Sequence, residues 1–149
     1  MALPYQNSSA DMLSSSPLTA GVTLLIVLLM FGTTFAVGKG RHKYGVQAPA
    51  VTGHPVFERL YRVQMNTLEW AVMTLPCLWI AAAYVSDALA AGLGVVWWLG
   101  RIAYALAYAA DPARRARGFI VGALAFGALG LVAGGGVIRQ LIGGESPSN

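Results

Sequence analysis

Residues 18–37, LTAGVTLLIVLLMFGTTFAV, run for twenty positions without a charged side chain. About twenty apolar residues are what a helix needs to cross roughly 30 Å of hydrocarbon, so this stretch reads as a transmembrane helix. Pro17 stands at its head, where a missing N–H costs little because the first N–H groups of a helix have no partner within it. The segment before it, MALPYQNSSADMLSSSP, contains no Lys or Arg. It lacks the basic start of a secretory leader, so the expectation is that the span is retained.

Working outward from this span, the rest of the chain follows the same logic. Residues 38–56 read as a polar loop with Lys39, Arg41, His42 and Lys43. A second span is expected over about 57–84, charged in its first half and apolar in its second. Ser86 and Asp87 make a short turn, and a third span follows over about 88–110 with Arg101 inside it. Asp111-Pro112 reads as a break that is also an N-cap followed by a first helical residue. The fourth span is expected over about 116–140, with a helix that starts as early as Pro112. The tail from Gly143 onward is polar and is expected to be disordered.

The composition agrees. Of 149 residues, 56% are hydrophobic and only 11% charged, against roughly a quarter charged in a soluble domain. The expected fold is therefore an all-α membrane protein, a four-transmembrane-helix bundle forming one domain over residues 1–149. The net charge of +4 sits beside apolar spans rather than in a soluble basic domain, which argues against nucleic-acid binding. Lys39, Arg41 and Lys43 fall on the same side of the membrane as Arg114, Arg115 and Arg117. Both loops, 38–56 and 111–117, are expected to be cytoplasmic. Cys77 is the single cysteine, so no intrachain disulfide forms, and it reads as a small buried hydrophobe. Trp97 and Trp98 lie near the middle of the third span, which favours packing or lipid contact over an interfacial belt. The fourth span is rich in glycine and carries two G-x-x-x-G pairs, Gly118/Gly122 and Gly130/Gly134, which suit close helix approach in lipid.

Chemistry concentrates in residues 57–70, FERLYRVQMNTLEW. On a helix Arg59, Arg62, Asn66 and Glu69 are spaced i, i+3, i+7 and i+10 and share one stripe, with Glu58 near it. Ionisable groups in a span seldom face lipid, so the stripe must meet a protein interior or a wet cavity. Gln64 points to the opposite side. Arg101, Tyr104 and Tyr108 form a second stripe at i, i+3 and i+7. Arg114, Arg115 and Arg117 then stand at the start of the fourth helix, whose terminus carries partial positive charge. Together they suit a carboxylate or a thiolate, since cationic surroundings lower the titration point of a thiol from about 8.5. Plainer readings stand beside these. The three arginines also serve as topology signals, the charged stripe as an interhelical ion-pair network, the tyrosines as packing, and His42 as an exposed loop residue. There is no HExxH, CxxC, G-x-S-x-G or P-loop pattern, so metal, serine-hydrolase and nucleotide chemistry have no support.

The FERLYRVQMNTLEW block resembles the MAPEG family, the membrane-associated proteins in eicosanoid and glutathione metabolism, and is nearest its leukotriene C4 synthase and microsomal glutathione transferase 2 branch. The likeness continues through RIAYALAYAADPARRARG and covers about residues 38–122. It implies four-helix subunits in a homotrimer, with glutathione as cosubstrate at each subunit interface near the cytosolic side. By motif position it implies that Arg62, Asn66, Glu69, Tyr104 and Tyr108 of one subunit contact glutathione, that Arg41 and Gln64 do so from the neighbour, and that Arg115 stabilises the thiolate. Arg114 is the alternative to Arg115 in that role.

The sequence also departs from the family pattern. Trp70 replaces a tyrosine and removes a phenol, and His42 replaces an arginine of the leukotriene branch. A general transferase of detoxification type, with lipid-hydroperoxide reduction as a further activity, is expected ahead of leukotriene synthesis. Its second substrate would be a lipophilic electrophile or lipid hydroperoxide drawn from the surrounding membrane lipids. The alternatives are a non-catalytic lipid-binding scaffold on the same fold, and a small transporter or channel. The short Ala/Gly-rich chain points to a bacterial inner membrane.

Overall fold

Four long helices run antiparallel to their chain neighbours in a computed structural model that describes residues 16–143. They are α1 (Pro17–Lys43), α2 (Pro55–Tyr84), α3 (Asp87–Ala110) and α4 (Ala116–Gly143), with a 3₁₀ turn, Pro112–Arg115, leading into α4. At 1.5 Å per residue even the 24 residues of α3 reach about 36 Å, enough to cross the hydrocarbon core. Each helix is also apolar enough to span a membrane. The expected disorder of the tail concerns residues that, beyond Gly143, lie outside those described.

One expectation needs correction. Residues 38–43 are not loop: α1 continues through them to Lys43. Lys39, Arg41 and Lys43 therefore sit in its last turns, where cations oppose the negative end of the helix dipole. The helix stops at Gly45, whose φ of +66° suits a residue without Cβ. There the Val46 N–H reaches back to the Arg41 carbonyl at 3.1 Å, which satisfies a carbonyl the helix leaves open. The loop proper is 44–54, and it ends at His54, whose Nδ1 accepts from the Val56 N–H at 3.2 Å to cap α2.

On the opposite side of the bundle, α1 and α3 begin together. The Leu18 and Thr19 N–H groups donate to the Asp87 carboxylate at 3.1 and 2.9 Å. A carboxylate at the start of α3 thus satisfies unpaired donors of α1 and complements its dipole. Ser86 caps α3 itself by accepting from the Leu89 N–H.

The core is built from small and branched residues at the helix crossings, with Ile26, Ala71, Leu78, Ala90, Trp97 and Leu129 essentially fully buried. Large apolar side chains such as Leu124 (69% exposed) and Leu131 (81% exposed) point outward. Lipid is as apolar as the core, so these side chains are at ease in a bilayer and not in water. Trp97 is buried, and Trp98 donates its indole N–H to the Leu25 carbonyl at 2.9 Å. Both are therefore packing residues, as their mid-span position implied. Cys77 is half-buried against the core.

The two G-x-x-x-G pairs behave differently. A Cβ on Gly118 would run into the Tyr104 backbone, and a Cβ on Gly100 of α3 would run into the Gly122 backbone. This pair lets α3 and α4 touch backbone to backbone. Gly130 and Gly134 face open space and take no part in packing within the chain.

Candidate active site

The close approach of α3 and α4 fixes where their polar residues meet α2. At that end of the bundle a cavity of about 590 Å³ is lined by Arg62 and Asn66 of α2, Tyr104 and Tyr108 of α3, Arg115 of the 3₁₀ turn, and Ala116, Phe119 and Ile120 of α4. Its walls hold two guanidinium groups, two phenols and an amide, and no carboxylate. The opposite wall is apolar, and Trp70 extends it by packing edge-on against Phe119 and Phe126 at centroid distances of 5.5 and 5.4 Å.

Arg101 lies beneath this cavity with 1% of its surface exposed. Its Nη2 donates to Asn66 Oδ1 at 3.0 Å and to Thr67 Oγ1 at 3.1 Å, and its guanidinium sits 4.2 Å from the Tyr104 ring centroid. It fixes Asn66 and Tyr104 from below. No carboxylate pairs with it among the described residues, and its Nε has no hydrogen-bond partner. A buried charge without a counter-ion is costly, so the site is held short of one negative charge.

At the rim, Arg115 places its guanidinium 5.4 Å from the Tyr108 ring, and Tyr108 in turn lies 5.6 Å from Tyr104. Arg114 points elsewhere and pairs with Asp111 at 3.4 Å on the surface. Of the two arginines, Arg115 lines the cavity. The Asp111 carboxylate accepts from the Ala113 N–H at 3.0 Å and caps the turn leading into α4, the N-cap role that the Asp111-Pro112 pair implied.

A second cavity of about 420 Å³ adjoins the first through shared walls, Arg62 and Tyr108, and reaches towards the 44–54 loop. Arg59, Glu58, Tyr61 and Pro112 line it, and the buried Arg59 Nε is without a partner. Glu58 accepts from the Gly53 N–H at 3.0 Å. The polar space is thus elongated along α2, with unpaired guanidinium N–H donors at more than one point.

Three expected contacts lie outside this space in the single chain. Glu69 is exposed on α2 and is not part of either wall. It shares a face with Arg62, but seven residues carry it about 10 Å along the axis, to the level of Trp70. Arg41 donates from Nη1 to the Val46 and Ala50 carbonyls at 3.3 and 2.8 Å and stacks on Phe57 at 4.8 Å. Gln64 donates to Thr34 Oγ1 of α1 at 3.0 Å. Both lie away from the cavity of their own chain. His42 is exposed at the end of α1.

Sequence reasoning did not assign Phe119 and Ile120 to the site. Phe119 follows Arg115 by four residues, and that spacing was the available signal. Thr67, the buried partner of Arg101, carried no such signal, because a lone threonine in a span is ordinary.

Residues 19–135 match the model of the MAPEG family. An uncharacterised protein of the cyanobacterium Synechocystis is 44% identical over 117 residues, covering 78% of this chain and 82% of that protein. Human microsomal glutathione S-transferase 2 is 38% identical over 108 residues, with 72% and 74% of the two chains covered. Bovine leukotriene C4 synthase is 36% identical over 122 residues, with 78% and 81% covered.

Proposed function

The chain belongs to the MAPEG family of integral membrane proteins, and from that footing we propose that it is a membrane-bound glutathione transferase. The observation that carries the reading is the cavity between α2, α3 and α4. It gathers Arg62, Arg115 and two tyrosines over the buried Arg101 without any carboxylate in its walls. Such a site selects an anion. Glutathione bound as its thiolate carries two carboxylates and the sulfur anion against one ammonium, so its negative charge matches the excess of guanidinium. The adjoining cavity at Arg59 gives an extended tripeptide a second point of attachment.

In this mechanism Arg115 holds the thiolate, and Tyr104 and Tyr108 offer O–H donors to it. Arg62 and Asn66 bind the peptide. Fixed donors aimed at the sulfur raise the thiolate population at neutral pH and need no reorganisation during reaction. The sulfur attacks an electrophilic carbon of a lipophilic substrate, a C–S bond forms, and the leaving group departs with the electron pair of the broken bond. The apolar wall of Phe119, Ile120 and Trp70 is where such a substrate, arriving from the bilayer, meets the sulfur. Holding the two reactants together supplies much of the acceleration. The same thiolate reduces a lipid hydroperoxide when two glutathiones are oxidised to the disulfide and the peroxide leaves as alcohol and water.

The proposed assembly is a homotrimer in which Arg41 and Gln64 of a neighbouring copy complete the glutathione site, with Glu69 at the same interface. Both hydrogen bonds of Arg41 use Nη1, so the remaining N–H donors of its guanidinium can serve a neighbour. The proposed location is a bacterial inner membrane with loops 44–54 and 111–115 cytoplasmic.

The test is formation of the thioether by the purified protein in proteoliposomes, supplied with glutathione and a membrane-partitioned electrophile, and followed by mass spectrometry of the product. Conjugation that saturates in glutathione supports the reading. A folded protein that binds no glutathione and forms no conjugate would favour the non-catalytic scaffold instead.

A further inference from the structure

On the face of α3 turned away from the polar cavity, an apolar groove of about 420 Å³ lies between α1, α2 and α3. Leu28, Gly32 and Ala36 of α1, Val63 of α2, and Trp98 and Ala105 of α3 are among its walls. On α3, Ala105 and Ile102 stand a quarter to a half turn from Tyr104, so this groove and the anion cavity open to different sides of the bundle. From Leu28 to Ala36 the groove runs about 12 Å along the helix axis. That is less than half of the roughly 30 Å hydrocarbon core, and it places the groove within one leaflet.

The α1 stripe does not end at the groove. Gly32, Ala36, Lys39 and Lys43 are spaced i, i+4, i+7 and i+11, so both lysines continue the groove's face towards the loop side of the membrane. Lys39 and Lys43, with His42, line a further cavity of about 440 Å³ at that end. Neither lysine pairs with a carboxylate among the described residues. Lys39 lies over the Phe35 ring at 5.9 Å and Lys43 over the Tyr44 ring at 5.3 Å. Arg41, by contrast, projects from another side of α1 into the 44–54 loop.

We propose that this groove and the two lysines form a binding site for one anionic phospholipid of the leaflet on the 44–54 loop side, with an acyl chain between α1 and α3 and the phosphate at Lys39 and Lys43. An acyl chain is the occupant that a groove confined to one leaflet meets at high concentration. The unpaired ammonium groups lie one and two turns beyond its end, at headgroup depth. This site is independent of the glutathione reading and requires only that the chain is inserted in a membrane.

The test is native mass spectrometry of the detergent-purified full chain given equal amounts of dioleoyl phosphatidylglycerol and dioleoyl phosphatidylcholine. The expected result is one tightly retained phosphatidylglycerol per chain, favoured about tenfold or more, as two lysines near an anionic headgroup imply. The Lys39→Ala/Lys43→Ala double variant should bring the ratio of the two lipids close to one. Ala36→Trp, which fills the groove, should remove retention of both. Ala105→Leu provides the same test from α3 should Ala36→Trp misfold. Equal retention of the two lipids by the unaltered protein would overturn the proposal, as would an undiminished preference in the double variant. So would displacement of the lipid by millimolar inorganic phosphate, which would reduce the site to a headgroup anion site, or cross-linking that shows the groove covered by a second copy of the chain.

Discussion

Adding a single methyl group at Gly100 should disturb the bundle more than the same change at Gly130, although both glycines lie in transmembrane helices. A Cβ on Gly100 would stand 2.7 Å from the Gly122 nitrogen, 3.1 Å from its Cα and 3.1 Å from Val121 Cγ1. Ordinary contact begins near 3.4 Å, so α3 and α4 must separate by at least about 0.7 Å at this crossing. The nearest obstacle is backbone, which cannot rotate away as a side-chain tip could. Overpacking of this kind costs about 1–3 kcal/mol, and the lost backbone contact adds to it. Gly130→Ala meets nothing within 4 Å, and alanine is the better helix former by up to about 1 kcal/mol. The two variants should therefore shift in opposite directions in thermal or detergent-titration unfolding. The Gly100 change should also weaken ligand binding, because Arg101 and Tyr104 ride on the displaced helix. Equal stability of the two variants would refute the claim that α3 and α4 meet backbone to backbone at Gly100 and Gly122 while Gly130 packs against nothing in the chain.

Three further outcomes follow from the same geometry. Asp87→Ala should lower the thermal midpoint and expose the Leu18 and Thr19 amides to faster hydrogen exchange, with Asp87→Asn intermediate, since the carboxylate holds those N–H groups. Arg101→Lys keeps the charge but, shorter and without the planar guanidinium, cannot reach Asn66 and Thr67 while lying against the Tyr104 ring. It should weaken glutathione affinity about ten- to a hundredfold, by the roughly 1.5–3 kcal/mol that a hydrogen bond to a charged group is worth, read by calorimetric titration of a variant that stays folded. Arg114→Ala should leave turnover close to unaltered, because Arg114 is paired with Asp111 at the surface, where such pairs contribute at most about 1 kcal/mol.

The four-helix fold was legible because lipid imposes one strong constraint: twenty uncharged residues at 18–37 have few other readings. The end of α1 was misjudged for a related reason. Hydropathy marks where the bilayer stops, whereas helix geometry stops where a cap appears, here at Gly45. Helical spacing placed Arg62 with Asn66 and Tyr104 with Tyr108, and these four do share a cavity. It could not show that Arg101 sinks beneath the cavity while Tyr104, three residues on and also buried, lines it. That difference depends on Gly118 and Gly122 drawing α4 against α3, a tertiary contact. Nor could a stripe show that Glu69 falls outside the cavity, about two turns along α2 from Arg62, or place Arg41 and Gln64, which are proposed to serve the site of another copy.

The central claim is that Arg115 and its neighbours hold glutathione as a thiolate, and the most direct measurement is the ultraviolet thiolate absorbance of the detergent-purified protein titrated with glutathione near neutral pH. A saturable thiolate signal is expected at a pH where free glutathione, with a thiol titrating near 8.5, is mostly protonated. Most of that signal should be lost in Arg115→Ala, while calorimetry still detects glutathione binding through Arg62 and Asn66. A folded protein that binds glutathione with no thiolate signal, or an Arg115→Ala variant with the signal undiminished, would contradict it.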